Sequence, residues 1–141
     1  MEQTKPRILV IDDEKGLRDM LAYTLSQRGY IVATAESGKD AVAQAWREEF
    51  DLAICDLMMP DMEGLETLRI LKEIHPCIQV VVVTGYATLE TAVASIKLGA
   101  YDYLAKPYEL NELCNILQNA LESDNLGQNL SAASLQMARL Y

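Results

Sequence analysis

Apolar residues along the chain follow two alternating rhythms. Short, nearly continuous runs occur at Arg7 to Ile11, Tyr30 to Ala35, Asp51 to Cys55, Ile78 to Val83 and Ala100 to Ala105. Each has the length and the Val, Ile, Leu or Tyr content of a strand, and turn residues bound it. Between them the spacing changes to that of one helix face: Leu17, Met20, Leu21 and Leu25; Ala41, Val42, Ala45 and Trp46; Leu65, Leu68 and Leu71; Ala92, Val93 and Ile96. A last helical stripe carries Leu110, Leu113, Ile116, Leu117, Ala120 and Leu121. Ser37 and Thr88 stand where helix N-caps belong, and Gly29 and Gly99 follow helical stripes where a left-handed residue is useful. Five strand–helix units in this order predict a parallel sheet with helices on both faces, because strands buried on two sides need continuous apolar runs. The fold class is therefore a doubly wound α/β domain.

The 141 residues, half of them hydrophobic and 23% charged, suit one globular domain and leave little room for a two-domain enzyme with separate substrate and cofactor modules. Leu126 to Tyr141 differ in kind. They hold one charged residue, Arg139, while Leu126, Leu130, Ala133, Met137 and Leu140 step in a heptad phase. Two heptads are too few to establish a coiled coil, so this segment reads as a linker helix or a loosely ordered tail. Twelve Lys and Arg against 21 Asp and Glu give a net charge of −9, the opposite of what phosphate neutralisation on nucleic acid requires. Cys55, Cys77 and Cys114 are far apart and lack metal or dithiol spacing, so they read as reduced, mostly packed thiols. The start, Met1-Glu2-Gln3-Thr4-Lys5, has no signal-peptide pattern and no apolar run approaches membrane-spanning length, which leads to an expectation of a cytoplasmic protein without membrane contact.

In an open α/β sheet, ligands bind beyond the carboxyl ends of the strands. Here those ends carry Asp12-Asp13-Glu14, Asp56, Thr84-Gly85 and Lys106-Pro107. Lys106 is conspicuous, since between Lys72 and Arg139 the only other cation is Lys97. Two carboxylates about 4 Å apart repel by roughly 4 kcal/mol at an effective dielectric of about 20, so a cluster of Asp12, Asp13 and Asp56 calls for a cation. An all-oxygen donor set favours a hard ion, and magnesium suits a half-built site completed by water and a phosphate oxygen. With Asp56 as nucleophile, an acyl phosphate can form in line. Lys106 and Thr84 then supply donors to phosphoryl oxygens, and Gly85 leaves space for the group.

These residues make the chain resemble the response-regulator receiver domains of two-component signalling, over residues 5–123, with 124–141 as a C-terminal tail or linker helix. The resemblance rests on the paired acids after the first strand, the run Asp56-Leu57-Met58-Met59-Pro60-Asp61-Met62-Glu63-Gly64-Leu65, Thr84-Gly85 and Lys106-Pro107. It implies a flavodoxin-like fold with strand order 2-1-3-4-5 and phosphorylation of Asp56 by a histidine kinase or phosphotransfer protein. It further implies magnesium, or manganese in its place, held by Asp13, Asp56 and the Met58 carbonyl, with Asp12 acting partly through water. A cis peptide before Pro107 follows from the same likeness. So does a switch in which Thr84 moves toward the phosphoryl group, Tyr103 turns into the space left behind, and the surface of helix four, strand five and helix five changes. An output domain or partner protein, and a homodimer formed on phosphorylation, are the implied readers. The stretches Gly85 to Val93 and Lys97 to Leu104 most resemble receivers of nitrogen-regulation-type transcription activators.

Taken singly, Asp12 and Asp13 read as helix N-terminal acids, Asp56 as a loop acid, Thr84 as a cap, Lys106 as a solvated charge and Tyr103 as packing. Cys55 reads as core, His75 as a surface residue at a helix end, and Trp46 as helix packing. Three rival functions fit less well. An aspartate-nucleophile phosphatase wants an acid two positions after Asp56, where Met58 stands. A flavin-binding fold wants small and hydroxyl residues after the first strand, where Asp12 and Asp13 repel bare phosphate. A phosphorylation-independent interaction domain would show gaps in the acidic set or the lysine, and there are none. Met58 and Tyr86, each two positions past a reactive residue, place bulk near the path of an attacking water and supply no group to orient it. Self-dephosphorylation should therefore be slow. Phosphate release from the loaded protein should be faster in Met58→Asn, and an unchanged or slower release would contradict this reading.

Overall fold

A computed structural model describes residues 5–58 and 64–125. Strands and helices alternate as β1 (Arg7–Ile11), α1 (Lys15–Gln27), β2 (Ile31–Ala35), α2 (Gly38–Arg47), β3 (Leu52–Asp56), α3 (Gly64–Ile74), β4 (Gln79–Thr84), α4 (Leu89–Lys97), β5 (Asp102–Ala105) and α5 (Leu110–Asn125). The strands form one sheet in the order β2-β1-β3-β4-β5, and every pairing is parallel. This is the flavodoxin-like arrangement that the sequence implied. The heptad segment from Leu126 and the run from Met59 to Glu63 lie outside the described residues.

Strand periodicity divides the core in two. Leu9, Ile11, Ala53, Cys55, Val80 and Val82 face one side, where Ala41, Ala45, Leu68 and Leu71 of α2 and α3 cover them. Ile8, Val10, Leu52, Ile54, Val81 and Val83 face the other, under Leu21 and Leu25 of α1 and Leu113 and Leu117 of α5. Side chains alternate across a strand, so β1, β3 and β4 must be apolar at successive positions to satisfy both layers. Each fully buried Leu, Ile or Val contributes on the order of 1.5–3 kcal/mol, so this sandwich fixes the sheet and the strand ends with it.

Local signals set the helix limits. Asp40 N–H donates to the Ser37 hydroxyl at 3.0 Å, and Thr91 N–H to the Thr88 hydroxyl at 3.0 Å. Gly29 and Gly99 have φ of 97° and 104°. After α1, Gly29 N–H bonds Ser26 O and Tyr30 N–H bonds Leu25 O; after α4, Gly99 and Ala100 bond Ile96 and Ser95 in the same way. Both are paired closures around a left-handed residue. They explain why β2 begins at Ile31 and not at Tyr30, whose N–H the closure already uses. Strands β3 and β4 run to Asp56 and Thr84, one residue further than their apolar content suggests, because ladder pairing continues to Asp56↔Val83 and Thr84↔Ala105.

Two packing expectations, those for Trp46 and His75, need correction, while the thiols are mostly packed as expected. Trp46 is 71% exposed, since the buried stripe of α2 is carried by Ala41 and Ala45 and the indole points away from it. Cys77 is exposed, while Cys55 and Cys114 are buried. His75 is half-buried, with its Nε2 2.7 Å from Ala45 O, so it joins the end of α3 to α2.

Gly64 opens α3 directly beneath β3. A Cβ there would lie 2.4 Å from Leu57 Cα and 2.5 Å from Asp56 O, both backbone atoms that cannot swing aside. Gly16 in α1 has open space around its Cα. Gly64→Ala should therefore lower stability in urea by about 1–3 kcal/mol, whereas Gly16→Ala should raise it by roughly 0.5–1 kcal/mol. Equal unfolding midpoints for the two variants would disprove the close approach.

Candidate functional site

The carboxyl ends of β1, β3, β4 and β5 bring the polar residues to one edge of the sheet. Asp12 directly follows β1 and is 2% exposed, its N–H bonded to Ala35 O at 3.1 Å. Its Oδ1 accepts from Glu14 N at 2.9 Å, and its main-chain oxygen accepts from Arg18 Nη1 at 2.8 Å. Asp56, the last residue of β3, is 4% exposed, and its Oδ1 accepts from Met58 N at 3.0 Å. Asp13 is exposed. One carboxylate oxygen from each of Asp12, Asp13 and Asp56 lies within 4.8 Å of the others.

Lys106 closes the site. Its N–H bonds Thr84 O at 2.8 Å, and the bond to Pro107 is cis, as expected. Its ammonium donates to Asp12 Oδ2 at 3.0 Å and Asp56 Oδ2 at 3.2 Å. One cation thus serves two nearly buried anions, and the exposed third carboxylate has no share in it. Burial is the largest influence on Lys106 and acts to lower its pKa, but the bonds and charges of Asp12 and Asp56 outweigh it, so the pKa rises above the usual lysine value. Lys106 remains an ammonium at neutral pH. For Asp56 burial dominates in the upward direction, and Asp12 adds to it. The Met58 N–H and Lys106 offset only part of this, so the carboxyl is pushed above its ordinary range.

The other sequence-marked residues surround this pair. Thr84 is fully buried, and its hydroxyl accepts from Tyr86 N at 3.1 Å. Gly85 is exposed, and a Cβ there would meet no atom within 4 Å, so the bare protein itself does not require glycine at that point. Met58 contributes its N–H to Asp56 while its side chain is 56% exposed. Tyr103 lies apart from the acids: its ring packs against the Leu9–Ala100 layer and its hydroxyl reaches the first turn of α4. Beside the site, Leu17, Met20, Lys106, Pro107, Tyr108 and Leu110 line a groove of about 420 Å³.

Three residues at or near the site escaped the sequence reading. Arg18, which anchors the Asp12 carbonyl, gives no motif signal. Tyr108 has a buried hydroxyl without a partner among the described residues. Thr91, bonded to Tyr103, does carry a signal. It stands three residues after the Thr88 cap, where a capping box would have Glu or Gln.

Together these features define a doubly wound α/β protein with an oxygen-rich, lysine-neutralised site at the carboxyl edge of its sheet. Residues 8–118 match the response regulator receiver domain family, and the chain belongs to it. Two curated relatives are transcriptional regulators. One is ZraR of Salmonella typhimurium, 40% identical over 135 residues covering 95% of this chain and 31% of that protein. The other is the DNA-binding transcriptional regulator NtrC of Proteus hauseri, 32% identical over 117 residues covering 83% and 25%. The chain therefore spans less than a third of the length of these relatives, and its likeness to receivers of nitrogen-regulation type holds. Among solved structures, it is similar to a receiver domain protein from Methanospirillum hungatei, with TM-score 0.86, 33% identity and coverage of 89% of this chain and 100% of that one. It is also similar to a response regulator from Burkholderia pseudomallei with a phosphorylated aspartic acid, calcium ion and citrate, with TM-score 0.77, 33% identity and coverage of 89% and 74%.

The raised pKa of Asp56 has a consequence for stability. A carboxyl raised on folding favours the folded state below the unfolded value, near 3.8, and loses that contribution as pH rises through its folded value. At pH 7.5 burial of the Asp56 carboxyl therefore works against the fold. Asp56→Asn should melt a few degrees higher than the wild type at that pH, with the gap narrowing as pH falls toward the carboxylate range. A lower melting temperature for Asp56→Asn at pH 7.5 would show that the Lys106 contact outweighs the cost of burial.

Proposed function

We propose that this domain is a phosphoacceptor switch in which Asp56 takes a phosphoryl group from a histidine kinase or phosphotransfer protein. The observation that carries this reading is the Lys106 ammonium held between Asp12 and Asp56. An Asp56 oxygen attacks phosphorus, the bond from phosphorus to the donor breaks, and an acyl phosphate forms. Burial leaves Asp56 poorly hydrated, so less water must be displaced from the attacking oxygen. Lys106 transfers its hydrogen bond from the Asp56 carboxylate to a phosphoryl oxygen, a charge-assisted contact that strengthens as charge builds there. Thr84 gives up the bond it accepts from Tyr86 N and turns its hydroxyl toward another oxygen.

The donor set fits a hard divalent cation: three carboxylate oxygens within 4.8 Å of one another, without histidine or thiolate. Asp13, Asp56 and the Met58 carbonyl would hold magnesium or manganese, and Asp12 would contribute partly through water. The ion supplies neutralisation of the transferring oxygens when bound. The exposure of Asp13 supports this assignment, since its carboxylate is open to an ion with a water shell. The groove beside Lys106 is the surface a histidine-bearing donor would cover.

In this reading Thr84 and Tyr103 convert the chemistry into a change at α4, β5 and α5, which an output domain, a partner protein or a second copy of the domain reads. Direct nucleic-acid binding by the domain is disfavoured by the charge of −9. No helix among the described residues is long and apolar enough to cross a membrane.

Acetyl phosphate with magnesium should label the wild type with one phosphoryl group, chelation should abolish labelling, and Asp56→Asn should remain unlabelled. Lys106→Ala should label at least tenfold more slowly, a barrier higher by about 1.4 kcal/mol. Equal labelling of wild type and Asp56→Asn, or labelling of neither, refutes the assignment.

A further inference from the structure

Helix α4 starts in a cluster of hydroxyls that phosphoryl chemistry at Asp56 does not use. Thr88 is the N-cap, and Thr91 N–H donates to its hydroxyl at 3.0 Å. The reciprocal half of the box is made by Thr91 Oγ1, 3.3 Å from Thr88 N. A Glu or Gln in that position would bring only an acceptor or an amide to the cap. A hydroxyl both accepts and donates, and this one lies 2.6 Å from the Tyr103 hydroxyl and 2.9 Å from the Thr88 hydroxyl.

The hydroxyl protons can run in either direction, and donor bookkeeping gives an arrangement that satisfies these atoms together. The Thr88 N–H is shared between Thr91 Oγ1 and the Tyr103 oxygen, each 3.3 Å away. Having accepted there, the phenol donates its proton to Thr91 Oγ1. Thr91 then directs its own proton to the Thr88 hydroxyl or to Thr88 O, which is 3.2 Å away. One helical turn on, the Ser95 hydroxyl donates to Thr91 O at 2.8 Å, which ties the same residue to a buried position in the body of α4. The loop leading into this cap begins at Thr84, whose hydroxyl accepts from Tyr86 N. Tyr86 stands two residues before the Thr88 cap, so the backbone alone joins this contact to the cluster.

We infer that Thr91 is a positioning residue that couples the Tyr103 ring to helix α4, its hydroxyl being shared between the helix cap and the phenol. The inference rests on the phosphoacceptor reading and adds to it a specific contact by which α4 and Tyr103 respond as one unit. Loss of the hydroxyl separates two events that are otherwise joined: ligand binding at Asp56 and the response of α4.

The test uses the full chain with magnesium and beryllofluoride as the phosphoryl mimic, and hydrogen exchange of the α4 amides as the readout. Without beryllofluoride, Thr91→Val should speed exchange in the first turn of α4 by about two- to tenfold, the range expected for one net hydrogen bond. With beryllofluoride, the exchange change seen in the wild type should fall to less than a third in Thr91→Val, while the affinity for beryllofluoride changes by less than threefold. Thr91→Ser, which keeps the hydroxyl, should respond like the wild type. Tyr103→Phe combined with Thr91→Val should be no worse than either alone, as expected for two ends of one contact. A full response in Thr91→Val overturns the coupling, even if that variant melts earlier, because it would leave Thr91 with a capping role alone. Additive effects of the two variants overturn it as well. If the wild type itself neither binds nor responds to beryllofluoride, the phosphoacceptor reading fails and this proposal falls with it.

Discussion

Strands β1, β3 and β4 are covered on both faces, and this constraint decides where chemistry can occur. A charged group in the middle of such a strand would have neither water nor a partner, and desolvating it would cost several kcal/mol. Ionisable groups are therefore confined to strand ends, and the parallel arrangement collects all carboxyl ends on one edge. Asp12 and Asp56 sit one step apart from full burial there, each satisfied by a main-chain N–H of the turn that follows. Lys106 spans the distance between them from the far edge strand. The acidic pair can persist because β5, otherwise a short and partly exposed strand, is followed directly by that lysine.

Much of the molecule was legible from residue order. Two-sided burial shows in continuous apolar runs, so the strand count and the fold followed from β1, β3 and β4. Ser37, Thr88, Gly29 and Gly99 marked helix limits because caps and left-handed closures have narrow chemical requirements. Asp12, Asp13, Asp56 and Lys106 could be grouped because topology brings strand ends together whatever their separation in sequence. Orientation around a helix was less legible. Trp46 fits an apolar stripe by spacing, yet two alanines suffice to bury that face of α2, and the large ring is left outside. Arg18 acts through a single hydrogen bond from an ordinary helix position, which no pattern in composition or spacing separates from a solvated one, whereas Thr91 is marked only by its place three residues after the Thr88 cap.

The site and the hydroxyl cluster at α4 differ in their physical character. At Asp56 the energies are those of partly dehydrated charges, sensitive to any added cation or anion. At Thr88, Thr91 and Tyr103 they are neutral hydrogen bonds at a partly exposed helix end, individually modest. Under the proposed phosphoacceptor reading, a phosphoryl group at the first reorders the second, whose bonds are individually weak. The apolar layers beneath both have no comparable freedom, since close-packed side chains resist small displacements.

The outward placement of Trp46 governs how this protein can be observed. It is the sole tryptophan of the chain, and its indole already meets water in the folded state. Its emission is thus poorly matched to following the formation of the core. Of the seven tyrosines, Tyr101 is buried in the layer beneath α5, and Tyr103 and Tyr108 are partly buried near the start of α4 and the groove. Ultraviolet signals from phenols, not from indole, carry the information about the interior of this domain.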